Sequence, residues 1–228
     1  MQLILIYGNI WNSRNVKCSN HSRREGRKKT RPSRARSQYF LQMTKYDLYI
    51  FLKEELGNGS KDLVTRPSGQ AIRERIEKDM AKEPEGAVIA LDFSKIGIID
   101  YSCADEIVTK LVSRLLSGEY GDKYLMLAGL NENQKENIEV ALERKDLAVM
   151  AEMRDGTRAV LGNLNNYLKD TLDFIVKKKK VTSKELSDAK KVEANTSGTR
   201  LLNLYKKRLV KRVEEARSDG TVWVYELL

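Results

Sequence analysis

VIALDFSKIGIIDYSCADEIVTKLVSRLL, residues 88–116, sets an apolar strand a few residues before an amphipathic helix. Val88–Phe93 is a short continuous apolar run, which suits a buried strand. Ala104, Ile107, Val108, Leu111, Val112, Leu115 and Leu116 then recur at helical spacing and form one stripe. Asp105, Glu106, Thr109, Lys110, Ser113 and Arg114 fill the opposite face, and Gly118 stops the helix.

The same alternation extends in both directions. Upstream, Leu48, Phe51, Leu52 and Leu56 predict a helix over Tyr46–Leu56, closed by Gly57-Asn58-Gly59. Asp62–Arg66 reads as a short strand, Pro67-Ser68-Gly69 as a turn, and Gly69–Lys82 as a helix with Ile72, Ile76 and Met80 inward. Downstream come a strand (Tyr124–Ala128), a helix (Glu132–Arg144) and two strands, Leu147–Met153 and Arg158–Leu161, around Asp155-Gly156. Strands alternating with helices predict an α/β domain over residues 43–162, a sheet covered by helices.

A strand ending in LDFS, a short link, IID and a helix opening on small residues resemble the STAS domains, the sulphate-transporter and anti-sigma-factor-antagonist modules. Ser102-Cys103-Ala104-Asp105-Glu106 is closer to a STAS-like family of prokaryotic proteins, and LVTRPSGQAIRERI (residues 63–76) fits the strand and helix that precede it there. The resemblance spans roughly residues 60–162. It implies a switch serine, phosphorylated by a partner kinase, at Ser102. The usual Asp-Ser-Ser-Gly reads Asp100-Tyr101-Ser102-Cys103 here. A phosphate suits a helix N-terminus, but so does an ordinary N-cap serine, and the second reading makes Ser102 purely structural. Asp92, Asp100, Asp105 and Glu106 read as solvated turn and first-turn residues rather than a metal or acid–base site.

Beyond residue 162 the pattern becomes helical, then turns into a hairpin. Leu164, Leu168, Leu172 and Ile175 share a helix face that ends at Lys177–Lys180. Thr182 and Glu185 have capping-box spacing for a second helix carrying Leu186 and Ala189. A third helix, capped by Asn195 or Thr196, turns Leu201, Leu204, Tyr205 and Leu209 inward. Its outer face, Thr196, Thr199, Arg200, Asn203 and Lys207, carries no acid. Leu209–Ala216 and Thr221–Leu227 then form a hairpin about Asp219-Gly220, made basic by Lys211, Arg212 and Arg217. Residues 163–228 resemble the winged helix-turn-helix of many prokaryotic regulators: a T-x-x-E-L helix, a polar recognition-helix start and an L-V-x-R run into the wing. The resemblance implies DNA binding through Thr196, Ser197, Thr199, Arg200, Asn203 and Lys207 on the third helix, with Lys211, Arg212 and Arg217 on the wing touching phosphate.

Charge divides the 228 residues in the same places. Residues 1–42 hold ten Lys/Arg and one acid, residues 43–176 hold 18 and 24, and residues 177–228 hold 14 and seven, within a net charge of +10. The basic head (1–42) has little to bury and reads as disordered; a phosphate-tracking arm, a transit-peptide-like leader, and a segment absent from a mature chain starting at Met43 all fit it. Two cysteines, Cys18 and Cys103, and one histidine, His21, suggest no disulfide, zinc site or histidine catalysis. The longest early apolar run, Leu3–Tyr7, is too short to span a membrane. The expectation is a cytoplasmic, non-enzymatic regulator that binds double-stranded DNA, without cofactor. A regulatory protein or kinase acts at the STAS-like domain, and paired half-sites suggest a homodimer. The competing expectation is a partner-switching adaptor whose two domains both bind proteins. RNA binding lacks an RNP-type aromatic motif.

Overall fold

The computed structural model describes residues 43–57, 59–217 and 220–228. The basic head, Asn58, and Ser218 and Asp219 of the expected turn lie outside these, and so do the expectations placed on them. The first part, residues 43–162, is a five-stranded sheet in the order β1 (Met43–Asp47), β2 (Val88–Asp92), β3 (Tyr124–Leu130), β4 (Ala148–Met153), β5 (Arg158–Gly162). Strands β1 to β4 are parallel, and β5 returns antiparallel along β4. The connections are helical: α1 (Leu48–Leu56) and α2 (Arg66–Met80), then α3 (Tyr101–Ala104) running through a π-helical turn (Asp105–Thr109) into α4 (Lys110–Ser117), then α5 (Glu132–Glu143).

Parallel strands laid down in sequence order constrain where those helices go. Crossovers between parallel strands are right-handed, so a sheet that grows in one direction receives all its helices on one face. Alternate residues along each strand point to opposite faces. Ile89, Leu91, Leu125, Leu127, Val149 and Ala151 accordingly pack in one cluster with α1 to α5. The expectation of a sheet covered by helices therefore holds for a single face.

Val88, Ala90, Tyr124, Met126, Ala128, Ala148 and Met150 point the other way, and all are buried. Their cluster is completed by the second part of the chain, through Leu168, Leu172, Ile175, Leu201, Leu204, Tyr225 and Leu227. That part comprises α6 (Asn166–Lys178), β6 (Lys180–Thr182), α7 (Ser183–Lys190), α8 (Ala194–Lys206), β7 (Val210–Arg217) and β8 (Gly220–Leu227). Its antiparallel sheet has the order β6-β8-β7, with β8 in the middle. Polar contacts fasten the two parts. Arg208 pairs with Asp122 and donates to the Gly121 carbonyl at 3.2 Å, Lys211 Nζ donates to the Gly86 carbonyl at 2.6 Å, and Arg158 donates to the Leu228 carbonyl at 3.4 Å.

Several local expectations change. The helix expected from Tyr46 begins at Leu48, because Asp47 caps it by accepting from the Tyr49 N–H at 3.0 Å; Met43–Asp47 is instead the edge strand β1. Thr65 accepts from the Ser68 N–H at 3.3 Å, so Pro67-Ser68-Gly69 is the first turn of α2, where proline's missing N–H costs nothing. The strand expected over Asp62–Arg66 shrinks to one bridge, Leu63 to Ile99. Helix α8 starts at Ala194 with Glu193 at its cap position, so Asn195 and Thr196 lie inside its first turn and do not cap it. The capping box of Thr182 and Glu185 is present, and Gly57 and Gly118 end their helices in the left-handed conformation.

The shared cluster makes residues 163–228 part of the sheet's own core. A chain ending at Gly162 is expected to lose its cooperative thermal transition and to self-associate, since Val88, Tyr124, Met126 and Met150 become bare. Met126→Ala should cost about 2–5 kcal/mol in denaturant unfolding, with Trp223 fluorescence and far-ultraviolet circular dichroism moving together. A soluble chain 43–162 with the full chain's melting temperature would contradict the shared core.

Candidate functional site

Helix α8 buries Leu201 and Leu204 against α6 and α7, which leaves its other face outward. On that face Asn195, Thr196, Thr199, Arg200 and Asn203 line an open groove of about 440 Å³, with Tyr167 of α6 as the facing wall. Among the described residues no carboxylate lines it. The Arg200 guanidinium lies 5.6 Å from the centre of the Tyr167 ring. Tyr167 accepts a hydrogen bond from Asn165 Nδ2 at 3.1 Å, and Thr199 Oγ1 donates to the Asn195 carbonyl at 2.8 Å. Four of the expected residues, Thr196, Thr199, Arg200 and Asn203, are thus brought together. Asn195 and Tyr167 join them; the only hint of Tyr167 in the sequence is an aromatic placed beside the Leu168–Leu172–Ile175 stripe.

The other expected residues do not share this groove. Ser197 is fully buried, and its Oγ donates to the carbonyls of Ser183 and Ala194, both at 2.8 Å. It points inward, one position off the outer face, and ties α8 to α7, so it cannot touch a ligand. Lys207 sits at the C-terminal end of α8, roughly 16 Å along the axis from Thr196 at 1.5 Å per residue.

The hairpin cations separate because neighbouring residues of a strand face opposite ways. Lys211 turns to the first part of the chain, onto the Gly86 carbonyl and 5.5 Å from the Tyr124 ring centre. Burial pushes its ammonium pKa down, against the charges of Glu226 and Asp122. Arg212 stacks 3.8 Å from the Trp223 ring centre, with Tyr205 and Tyr225 each 5.9 Å away. Lys211 is therefore no free phosphate contact, contrary to expectation, while Arg212 is half-buried and stacked. Arg217 is exposed at the end of β7, with the Glu215 carboxylate 3.8 Å away. Glu214 and Glu215 further dilute the basic character expected of the hairpin.

The second expected site changes more. Asp100, not Ser102, caps α3, accepting from the Cys103 N–H at 2.7 Å. Ser102 is half-buried in the first turn, so a phosphate there would share that turn with the Asp100 carboxylate. Cys103 is fully buried, donates its thiol to the Thr65 carbonyl, and has its pKa raised to about 12 by burial and by the charge of Asp100.

Glu106, expected to be solvated, is 2% exposed and meets three cations: Lys110 at 2.6 Å, Arg66 at 3.1 Å and Arg73 at 3.2 Å. Burial opposes its charge, but Lys110 and Arg73 outweigh that and hold its carboxyl below the usual range. Arg73 continues to Glu77 at 2.9 Å, which also takes Arg114 and the Tyr120 hydroxyl, both at 2.6 Å. Asp92 is likewise buried, with Lys45 at 2.8 Å and the Ser94 N–H at 2.9 Å. These acids hold helices and strand ends together. Of the four, only Asp100 keeps the expected position at a helix start; Asp105 lies a turn further on, paired with Arg66 at 3.1 Å.

Among the described residues no helix is long and apolar enough to cross a membrane. Comparison of the chain with protein-family models, with curated proteins and with solved structures returned no match.

Three substitutions separate these roles. Asp100→Ala should destabilise by about 0.5–2 kcal/mol and Ser102→Ala by less than about 0.5 kcal/mol, measured by urea unfolding. The reverse order would restore Ser102 as the cap. Glu106→Gln removes the buried charge shared by Arg66, Arg73 and Lys110, leaves Arg73 with Glu77 alone of its two close buried partners, and should cost about 3 kcal/mol at neutral pH. A lowered carboxyl pKa stabilises above the unfolded value and loses that stabilisation as pH falls through the folded one. The gap between wild type and Glu106→Gln should therefore close below about pH 4. A gap that persists at lower pH would mean that packing, not charge, is lost.

Proposed function

We propose that this chain is a DNA-binding transcriptional regulator of the cytoplasm, with residues 163–228 as a winged helix-turn-helix and residues 43–162 as a STAS-like regulatory domain. The observation that carries the reading is the acid-free groove on α8. Its lining is chemically suited to base edges: an Arg fork can take the two acceptors of guanine, an Asn amide pairs with adenine, and threonine hydroxyls serve either. Phosphates repel carboxylates, and none of the described residues lining the groove carries one. The element order supports it as well. Helix, short strand, two helices and a hairpin, with β6 paired to β8, is the order in which a winged helix presents its third helix to the major groove.

Thr196, Thr199, Arg200 and Asn203 read bases in this account, and Arg217 reaches phosphate from the hairpin. Buried Ser197 and Lys211, held at Gly86, leave the interface. The adaptor reading draws on a different observation. Trp223 is 44% exposed and stacked by Arg212, and tryptophan, tyrosine and arginine dominate protein–protein anchors. The two readings part on salt. Phosphate contacts release counterions, so affinity for duplex DNA must fall steeply as salt rises.

Titration of specific and scrambled duplexes at several salt concentrations tests the assignment. Arg200→Ala should cost about 1–3 kcal/mol on the specific duplex and relax preference at one base pair. Arg217→Ala should weaken both duplexes alike and lower the salt slope by about one. Lys211→Ala should leave the slope unchanged, because its ammonium is already held at Gly86. Absence of salt-dependent binding to any duplex would leave the adaptor reading in its place.

A further inference from the structure

One wall of the α8 groove comes from another helix. Tyr167 stands in the first turn of α6, 44% exposed, and its ring faces the Arg200 guanidinium. Asn165, at the cap position of α6, makes no cap bond and instead donates its side-chain amide to the Tyr167 hydroxyl. That hydroxyl accepts one bond and keeps its own proton for an acceptor in the groove. Behind the ring, Thr171 donates to the Tyr167 carbonyl at 2.7 Å, which fixes the turn. The result is a relay of contacts, Asn165 to Tyr167 to Arg200, crossing from α6 to α8.

Arginine has several rotatable bonds, and a bidentate contact with a base needs its planar fork in one orientation. A guanidinium resting on an aromatic face has part of that freedom removed before binding. We propose that Tyr167 is the positioning residue for Arg200: it presents the guanidinium to a guanine edge of duplex DNA and so sharpens discrimination between sequences. This inference rests on the DNA-binding reading. It goes further in requiring a residue outside the recognition helix to act through Arg200. A contact made by Tyr167 to phosphate alone would strengthen all duplexes equally, and a purely structural tyrosine would act on the fold.

Two measurements on the full-length chain test it. The first follows the Arg200 side-chain resonances by NMR without DNA. The ring-current shift should persist in Tyr167→Phe and vanish in Tyr167→Leu. The second titrates a duplex selected by the wild type from a random pool, and its scrambled version, against wild type, Tyr167→Phe, Tyr167→Leu, Arg200→Ala and the Tyr167→Leu/Arg200→Ala double variant. Tyr167→Leu should weaken the selected duplex by about three- to tenfold and leave the scrambled one within about twofold. In the Arg200→Ala background it should add nothing, which is the mark of action through Arg200. Equal loss on both duplexes, an undiminished effect in the Arg200→Ala background, or Arg200 resonances that ignore Tyr167→Leu would each overturn the proposal. If the ring-current shift is present but no duplex is selected, the DNA-binding premise fails while the Tyr167–Arg200 contact stands.

Discussion

A parallel sheet whose strands follow one another in order can be covered on only one side by its own crossover helices. The rest of this molecule depends on that constraint. Strands β1 to β4 add in sequence, α1 to α5 gather on one face, and Val88, Tyr124, Met126 and Met150 are left on the other. Bare, that face would be a large apolar patch. The helices and hairpin of residues 163–228 close it, so the groove-bearing part is a layer of the core, not an appendage on a linker. Its fastening points also have a direction. Arg208 and Lys211 hold loops that precede β3 and β2, whereas Ser102 follows the C-terminal end of β2. A signal at Ser102 would have to cross the length of the sheet, or of the helix from Tyr101 to Ser117, to reach α8.

Polar chemistry inside the first part is structural. Glu106, in the π-helical turn between α3 and α4, and Glu77, in α2, bind arginine and lysine from α2 and α4. Buried acids of this kind are strongly destabilising when one partner is removed, yet the assembled network adds little over apolar packing. Its effect is to fix the register of α2 against the helix that follows β2. The buried Cys103 thiol, tied to Thr65, belongs to the same joint and offers no reactive thiolate.

Much of the architecture was legible in the sequence because the signals were periodic. VIALDF and YLMLA, apolar without alternation, marked buried strands, and the Ala104–Leu116 stripe marked their helix. The two short strands were not legible. β1 has one buried side chain, Tyr46, and β6 is three residues long, so neither repeats a pattern often enough to be seen. In the candidate site, helical spacing found Thr196, Thr199, Arg200 and Asn203 but admitted Ser197, whose small hydroxyl serves a backbone carbonyl as readily as a ligand. Tyr167 was hidden because its neighbour is 33 residues away in the chain. The same blindness to long-range partners made Lys211 and Glu106 look solvated, although one is held by Gly86 and the other by Arg73.

On the proposed function, the outer face of α8 meets DNA. Amide chemical-shift mapping of the isotopically labelled chain, titrated with a mixed-sequence duplex at moderate salt, tests it most directly. Shifts should concentrate at Asn195, Thr196, Thr199, Arg200, Asn203 and Tyr167, with a smaller one at Arg217, and fade as salt rises, with the Lys211–Gly86 and Glu106 regions silent. No shifts at all, or shifts centred on Ser102 or Trp223 with the α8 groove untouched, would contradict it.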